Sequence, residues 1–217
     1  FGNDYVGIGG MVNLTDPVAG DAFLAAGQIA IASEVQGDLV AAGGEVSIGG
    51  SVGDDLYAAG GNVQLDAMVT GNARIAGGDV QVGPATVIAG AVSLTGGRIT
   101  FDGNSHGYLQ ASGASVNLNG QVHGDAEVRA EDLVIGPETR IGGRLVYHGP
   151  TAPVVPEGAV IAGGVEFQLE RAADAGSKAV FAVEDGIGAG AARARQQRVE
   201  HGVAHGVCRG DALPRGG

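Results

Sequence analysis

Apolar residues recur along most of this chain at a fixed spacing. The stretch "VQGDLVAAGGEVSIGG" (Val35 to Gly50) is followed by the near copy "VGDDLYAAGGNVQLDA" (Val52 to Ala67), 17 residues further on. Full units run 17–33, 34–50, 51–67, 68–86, 87–103, 104–120, 121–139 and 140–159. Residues 1–16 form a nearly complete earlier unit, and 160–167 begin another. Five of the eight full units have 17 residues. Those at 68 and 121 gain two residues each at the matching inserts "GPAT" (Gly83 to Thr86) and "GPET" (Gly136 to Thr139). Pro after Gly in both suits a widened turn.

The columns within the unit predict the elements. The thirteenth position reads Ile29, Val46, Val63, Val80, Ile99, Val116 and Leu133. The fifteenth reads Ile31, Ile48, Leu65, Val82, Phe101, Leu118 and Ile135. Between them the fourteenth is mostly polar, as in Ser47, Gln64, Gln81, Thr100 and Asn117. Alternation of this kind with β-branched residues predicts a strand with one buried face. A second strand is predicted through the second, sixth and eighth positions, as in Val35, Leu39 and Ala41. The fourth position is usually Gly, and the "AGG" at positions nine to eleven predicts a corner, where φ > 0 or close backbone approach favours Gly. Spacing by two, broken by Gly, excludes stacked helices. Turning three times per 17 residues gives a triangular coil, and coils stacked at ~4.8 Å build a rod of roughly 45 Å. The expectation is an all-β, three-sided parallel β-helix of about nine coils over residues 1–167. A short unit cannot bury its own apolar face, whereas a stack can.

The repeated "GDxxAAGGxVxI" pattern resembles the bactofilins, a bacterial polymer-forming cytoskeletal β-helix family. The resemblance lies in "GDLVAAGGEVSI" (Gly37 to Ile48), "DDLYAAGGNVQL" (Asp54 to Leu65) and "GNARIAGGDVQV" (Gly71 to Val82), and it covers residues 1–167 in spacing and residue type. It implies a right-handed, three-sided helix that assembles end to end without nucleotide. Some bactofilin-like chains join such a helix to residues like "PEGAVIAGGVE" (Pro156 to Glu166) and then to membrane helices. Here no apolar run long enough to span follows, so membrane association is expected only through a segment outside this chain.

Charge and cysteine content narrow the function classes. The formal net charge is −12, and residues 1–167 carry 5 Arg, no Lys and 18 Asp or Glu. Such a surface repels nucleic acid and anionic lipid. The single cysteine, Cys208, rules out an intrachain disulfide and a Cys-based zinc site. No signal peptide is visible, and a chain starting at Phe1 rather than Met is expected to be processed or a fragment. A bacterial location is implied by the resemblance, cytoplasmic or membrane-associated on the outer side. Residues 168–217 lack the repeat, and their composition predicts a disordered tail. A shifted reading frame in place of a membrane anchor is the sharper alternative for that tail.

Several constellations suggest chemistry. His106 and His123 both occupy the third position and are expected to stack outside the coil, where two imidazoles could share a transition metal. The matching residue of the next coil is Gly142, so a plain exposed pair is expected. Asp21, Asp38 and Asp55 share the fifth position with Asp125. Like charges ~5 Å apart could bind a bridging cation, but a solvated acidic edge that discourages lateral sticking is expected. "VIGPETRIGG" (Val134 to Gly143) and "VGPATVIAG" (Val82 to Gly90) look like the hexapeptide repeat of left-handed β-helix acyltransferases, although a 17-residue unit does not divide by six. No His has an evident base-orienting partner. Basic groups are too few for a polysaccharide-cleaving β-helix, no Thr ladder suits ice binding, and no GxxxxGK[ST] phosphate loop is present.

Three functions follow. The first is a non-enzymatic scaffold that needs no cofactor and has itself as partner. The second is an acyltransferase-like enzyme. The third is a passive extracytoplasmic spacer or adhesin stalk. For the scaffold, self-association is expected through the two ends of the helix, at Phe1, Tyr5, Val12 and Leu14 on the first coil and Ile161, Val165 and Phe167 on the last.

Overall fold

The structure, a computed structural model, describes residues 3–170. Among these there is no helix, and hence none that could cross a membrane. Ten parallel strands, from Tyr5–Leu14 to Val165–Leu169, form one sheet, and six two-residue strands, from Met68–Val69 to Val160–Ile161, form a second. In the first coils the second sheet is continued by single bridges from Val18 to Val35, Val52 and Val69. Every strand pairs with the equivalent strand of the next coil, so the described residues form a parallel β-solenoid of ten turns. The register steps by 17 residues, as in Leu39 to Leu56, and by 19 where an insert intervenes, as in Ala73 to Val92.

The inward columns are those the alternation predicts. Ile29, Val46, Val63, Val80, Ile99 and Val116 are buried, as are Ile31, Ile48, Leu65, Val82, Phe101, Leu118 and Ile135; Leu133 is half-buried. Val35, Leu39 and Ala41, with their equivalents, complete the interior. Each fully buried aliphatic side chain contributes ~1.5–3 kcal/mol, and no coil can collect that without its neighbours.

The "AGG" corner takes a form the sequence does not show. Leu39–Ile48 is one ten-residue strand that bends without breaking. Leu39 and Ala41 point inward before the bend, and Val46 and Ile48 after it. The separation of Ala41 from Val46 is odd, so the side-chain phase reverses there, and Gly44 drops out of the ladder. These glycines do not need positive φ; among the described residues only Gly158 and Gly164 have it. They are required by close approach, since a Cβ on Gly44 would lie 2.8 Å from the carbonyl oxygen of Gly27 one coil below.

The inserts are turns. The amide of Thr86 donates to the carbonyl of Gly83 at 3.1 Å, and that of Thr139 to Gly136 at 3.2 Å. Pro therefore occupies the second turn position, which its fixed φ favours. Both threonines are buried, and their hydroxyls donate inward to the carbonyls of Leu65 and Leu118 at 2.7 Å. In the 140–159 unit the third side is not strand. Pro150, Pro153 and Pro156 supply no amide hydrogen to a ladder, and the strand stops at Gly149. The buried Tyr147 reaches inward there and donates to the Ala130 carbonyl at 3.1 Å. Burial, and secondarily the charge of Asp132, pushes its hydroxyl pKa up. The last strand runs on to Leu169, past the boundary expected at 167. The tail assigned to 168–217 otherwise lies outside the described residues.

Candidate functional site

The ends differ in how far they expose the core columns. At the first coil Val12 and Leu14 are buried, at 8% and 4% exposure, and Tyr5 is 38% exposed. Gly7 occupies an inward position there. A Cβ on it would meet the Tyr5 ring and Leu24 at 3.0 Å and Val12 at 3.1 Å, so the aromatic ring lies across the space a side chain would fill. At the last coil Val165, Phe167 and Leu169 are 40%, 37% and 66% exposed, and Ile161 is half-buried. Phe167 lies against Tyr147 with ring centroids 5.9 Å apart, continuing the eighth-position column. The strands Tyr5–Leu14 and Val165–Leu169 are the outermost of the large sheet, each paired on one side only among the described residues. Of the seven residues expected at the ends, six are therefore placed at one end or the other, and Phe1 lies outside the described residues. Leu169 is the residue the sequence reading missed. Its signal was the extension of the alternation Val165, Phe167, Leu169 past the assumed boundary.

The acidic ladder has a structural task. Asp21 Oδ1 accepts the amide of Asp38 at 2.9 Å, Asp38 Oδ1 that of Asp55 at 2.9 Å, and Asp55 Oδ1 that of Asn72 at 2.7 Å. Asn72 continues the series by accepting from Ala91, and Asp125 accepts from Arg144 at 2.8 Å. Each fifth-position oxygen thus satisfies the corner amide of the coil above. The amide of Asn72 is the largest influence on Asp55 and holds its carboxyl below the usual aspartate value. Partial burial opposes this, while the Asn72 amide group, the Tyr57 hydroxyl and the Arg74 charge reinforce it. Gly at the fourth position fits the same corner, since a Cβ on Gly37 would overlap Asp21 Oδ1.

His106 and His123 do stack, with ring centroids 4.7 Å apart, but edge to face at 88°. The Nδ1 of His123 lies 3.1 Å from the Ser105 carbonyl oxygen and is occupied there as a donor. Among the described residues no group of three or more His, Cys, Asp or Glu is placed to hold a metal ion.

Two further features were not foreseen. On the upper coils the buried His148 lies between Glu127 Oε1 (3.6 Å from Nε2) and Glu170 Oε1 (3.4 Å from Nδ1), while Arg129 Nε donates to Glu170 Oε2 at 3.1 Å. No motif signals this group; the residues meet only because columns seven, nine and eleven come together across coils of 19 and 20 residues. On the lower coils the same two columns are apolar. A shallow trough of 310 Å³ runs between Val40 and Tyr57 on one side and Ala42, Ala59 and Ala76 on the other. Arg74 closes it, with its guanidinium 5.5 Å over the Tyr57 ring.

Comparisons with protein-family models, with curated proteins and with solved structures find no match to this chain.

Proposed function

We propose that this protein is a non-enzymatic structural scaffold of the bactofilin type, which self-assembles end to end through the ends of its β-helix without nucleotide. The observation that carries the reading is the last coil. Val165, Phe167 and Leu169 leave an apolar strip partly in water above the buried columns, and the strand that bears them has one unpaired edge among the described residues. Unpaired edges over apolar side chains are templates for another strand. A second copy presenting the Tyr5–Leu14 edge offers the same inter-coil repeat, so the ladder and the apolar columns can continue across the junction. The repeat also supports a scaffold role, because a rod of stacked coils transmits length and stiffness and the same unit serves as both body and joint.

Light scattering of the full chain over a concentration series tests this. Mass is expected to grow with concentration at moderate salt without nucleotide or metal. The Val165→Asp/Phe167→Asp double variant is expected to lose that growth while keeping its thermal unfolding. A parent protein whose mass never exceeds that of a small oligomer would overturn end-to-end assembly and favour the spacer.

A further inference from the structure

We infer that the outward face carrying columns seven and nine is a side-by-side interface between two copies of this chain, with their solenoid axes parallel. The face is a ridge beside a valley. Column seven is the ridge, with Val6, Phe23, Val40 and Tyr57; column nine is the valley, with Ala25, Ala42, Ala59 and Ala76. Ile8, 81% exposed, and Val6, 67% exposed, stand at its lower end. Isolated apolar residues on a surface need no partner, but a contiguous patch of this kind marks an interaction site.

The occupant follows from symmetry and charge. A two-fold axis parallel to the solenoid, placed over column eight, sets each ridge residue opposite the valley residue of the same coil in the partner. Val40 then meets Ala42, and Tyr57 meets Ala59. Higher up, Ser93 meets Thr95 and Gln110 meets Ser112, so polar residues of the face also meet polar ones. On the lower coils the acidic corner at Asp21, Asp38 and Asp55 meets the glycine corner at Gly27, Gly44 and Gly61. An antiparallel pair over the whole face does the reverse: ridge abuts ridge and valley faces valley, so the surfaces do not interlock, and Asp38 faces Asp125 of the second copy. An isologous contact of this kind is the commonest form of homodimer.

The area is sufficient only for the whole face. Ten coils at ~4.8 Å and a width of six residues at ~3.3 Å give roughly 900 Å², against the ~800 Å² per partner of a standard interface. The apolar lower half alone gives about half of that, which is why the complementarity of the upper coils matters.

The test uses the full chain, in the parent and in the Val165→Asp/Phe167→Asp background, so that end contacts and side contacts separate. Sedimentation equilibrium is expected to show a dimer in the end-blocked background, and in the parent larger species that grow in multiples of that dimer. Ala59→Glu, an outward substitution, is expected to raise the dimer dissociation constant roughly 30-fold or more with unchanged thermal unfolding. Phe23→Ser serves as a second variant. Spin labels at Asn13→Cys, Gln64→Cys or Asn117→Cys in a Cys208→Ser background are expected to give the same inter-subunit distance at all three levels. A monomer in the end-blocked background would overturn the proposal and leave the face to a different partner. So would a dimer indifferent to Ala59→Glu, or distances that change with level, which signal an antiparallel pair.

Discussion

The ten-stranded sheet has two outward faces, one on each side of the glycine bend, and they are built from the same strands to different ends. The face at positions seven and nine carries Phe23, Val40, Tyr57 and four stacked alanines on its lower coils. The face at positions twelve and fourteen carries Gln28, Glu45, Ser47, Gln64, Asp79 and Arg98. On the second face the polar groups pair along the ladder, as in Gln28 with Glu45 at 3.2 Å and Arg98 with Asp79 at 3.3 Å. Both faces are equally supported from inside by the buried columns. What differs is only what each shows to water, so inward columns make the solenoid and outward columns make its two surfaces unlike.

The largest expected effect breaks the support common to both faces. Ile48→Asp places a charge in a dry ladder next to Val46 and Leu65 and is expected to cost more than about 4 kcal/mol. Ser47→Asp, one residue away and outward, is expected to change stability by less than about 0.5 kcal/mol. Thermal unfolding of the pair measures the contrast, and equal midpoints would mean the assignment of inside and outside is wrong.

A second contrast sets the faces against each other with identical chemistry. Ala59→Glu and Gln64→Glu lie on the same strand, on opposite sides of the bend. Only the first is expected to weaken dimerisation, as read by sedimentation; equal effects would erase the distinction between the faces.

The acidic corner bordering the first face gives a smaller effect. Asp55→Ala removes the acceptor of the Asn72 amide and is expected to cost about 1 kcal/mol. Asp55→Asn keeps an acceptor, as Asn72 itself does for Ala91. The folded-state pKa of Asp55 is depressed, so its stabilisation is full above the ordinary aspartate value and is lost as pH falls through the folded one. Between pH 7 and pH 3 the parent is therefore expected to lose slightly more stability than Asp55→Asn. A parent that loses no more than the Asn variant would show that the amide contact does not favour the ionised form.

The smallest effect belongs to the second face. Arg98 is mostly exposed, and its pair with Asp79 is open to solvent. Arg98→Ala is expected to shift stability by less than about 0.5 kcal/mol, since exposed ion pairs are screened and cost side-chain entropy. A drop of a full kcal/mol in chemical denaturation would show that this face contributes more than solubility.

The inward columns, the short period and the exclusion of helices were legible in the amino-acid sequence. Burial in a solenoid depends on one local rule, alternation by two, and that rule repeats often enough to be read without coordinates. The stacking of His106 on His123 and of Asp21 on Asp38 follows from the same period. What each pair does there was not legible. A carboxylate at column five can face water, a cation or an amide, and only the offset between coils brings Asp38 Oδ1 to the amide of Asp55. The unbroken strand through "AGG" was hidden for a related reason: glycine marks a corner, but whether the ladder survives it depends on the coil beneath. Val12, read as an open end, lies buried beside the space at Gly7, into which Tyr5 folds because that inward position carries no side chain. His148, Glu127 and Glu170 likewise come together through coils of unequal length. Repetition let the sequence determine which way each side chain points. Distances between neighbouring coils belong to the stack, and those the tertiary structure alone decided.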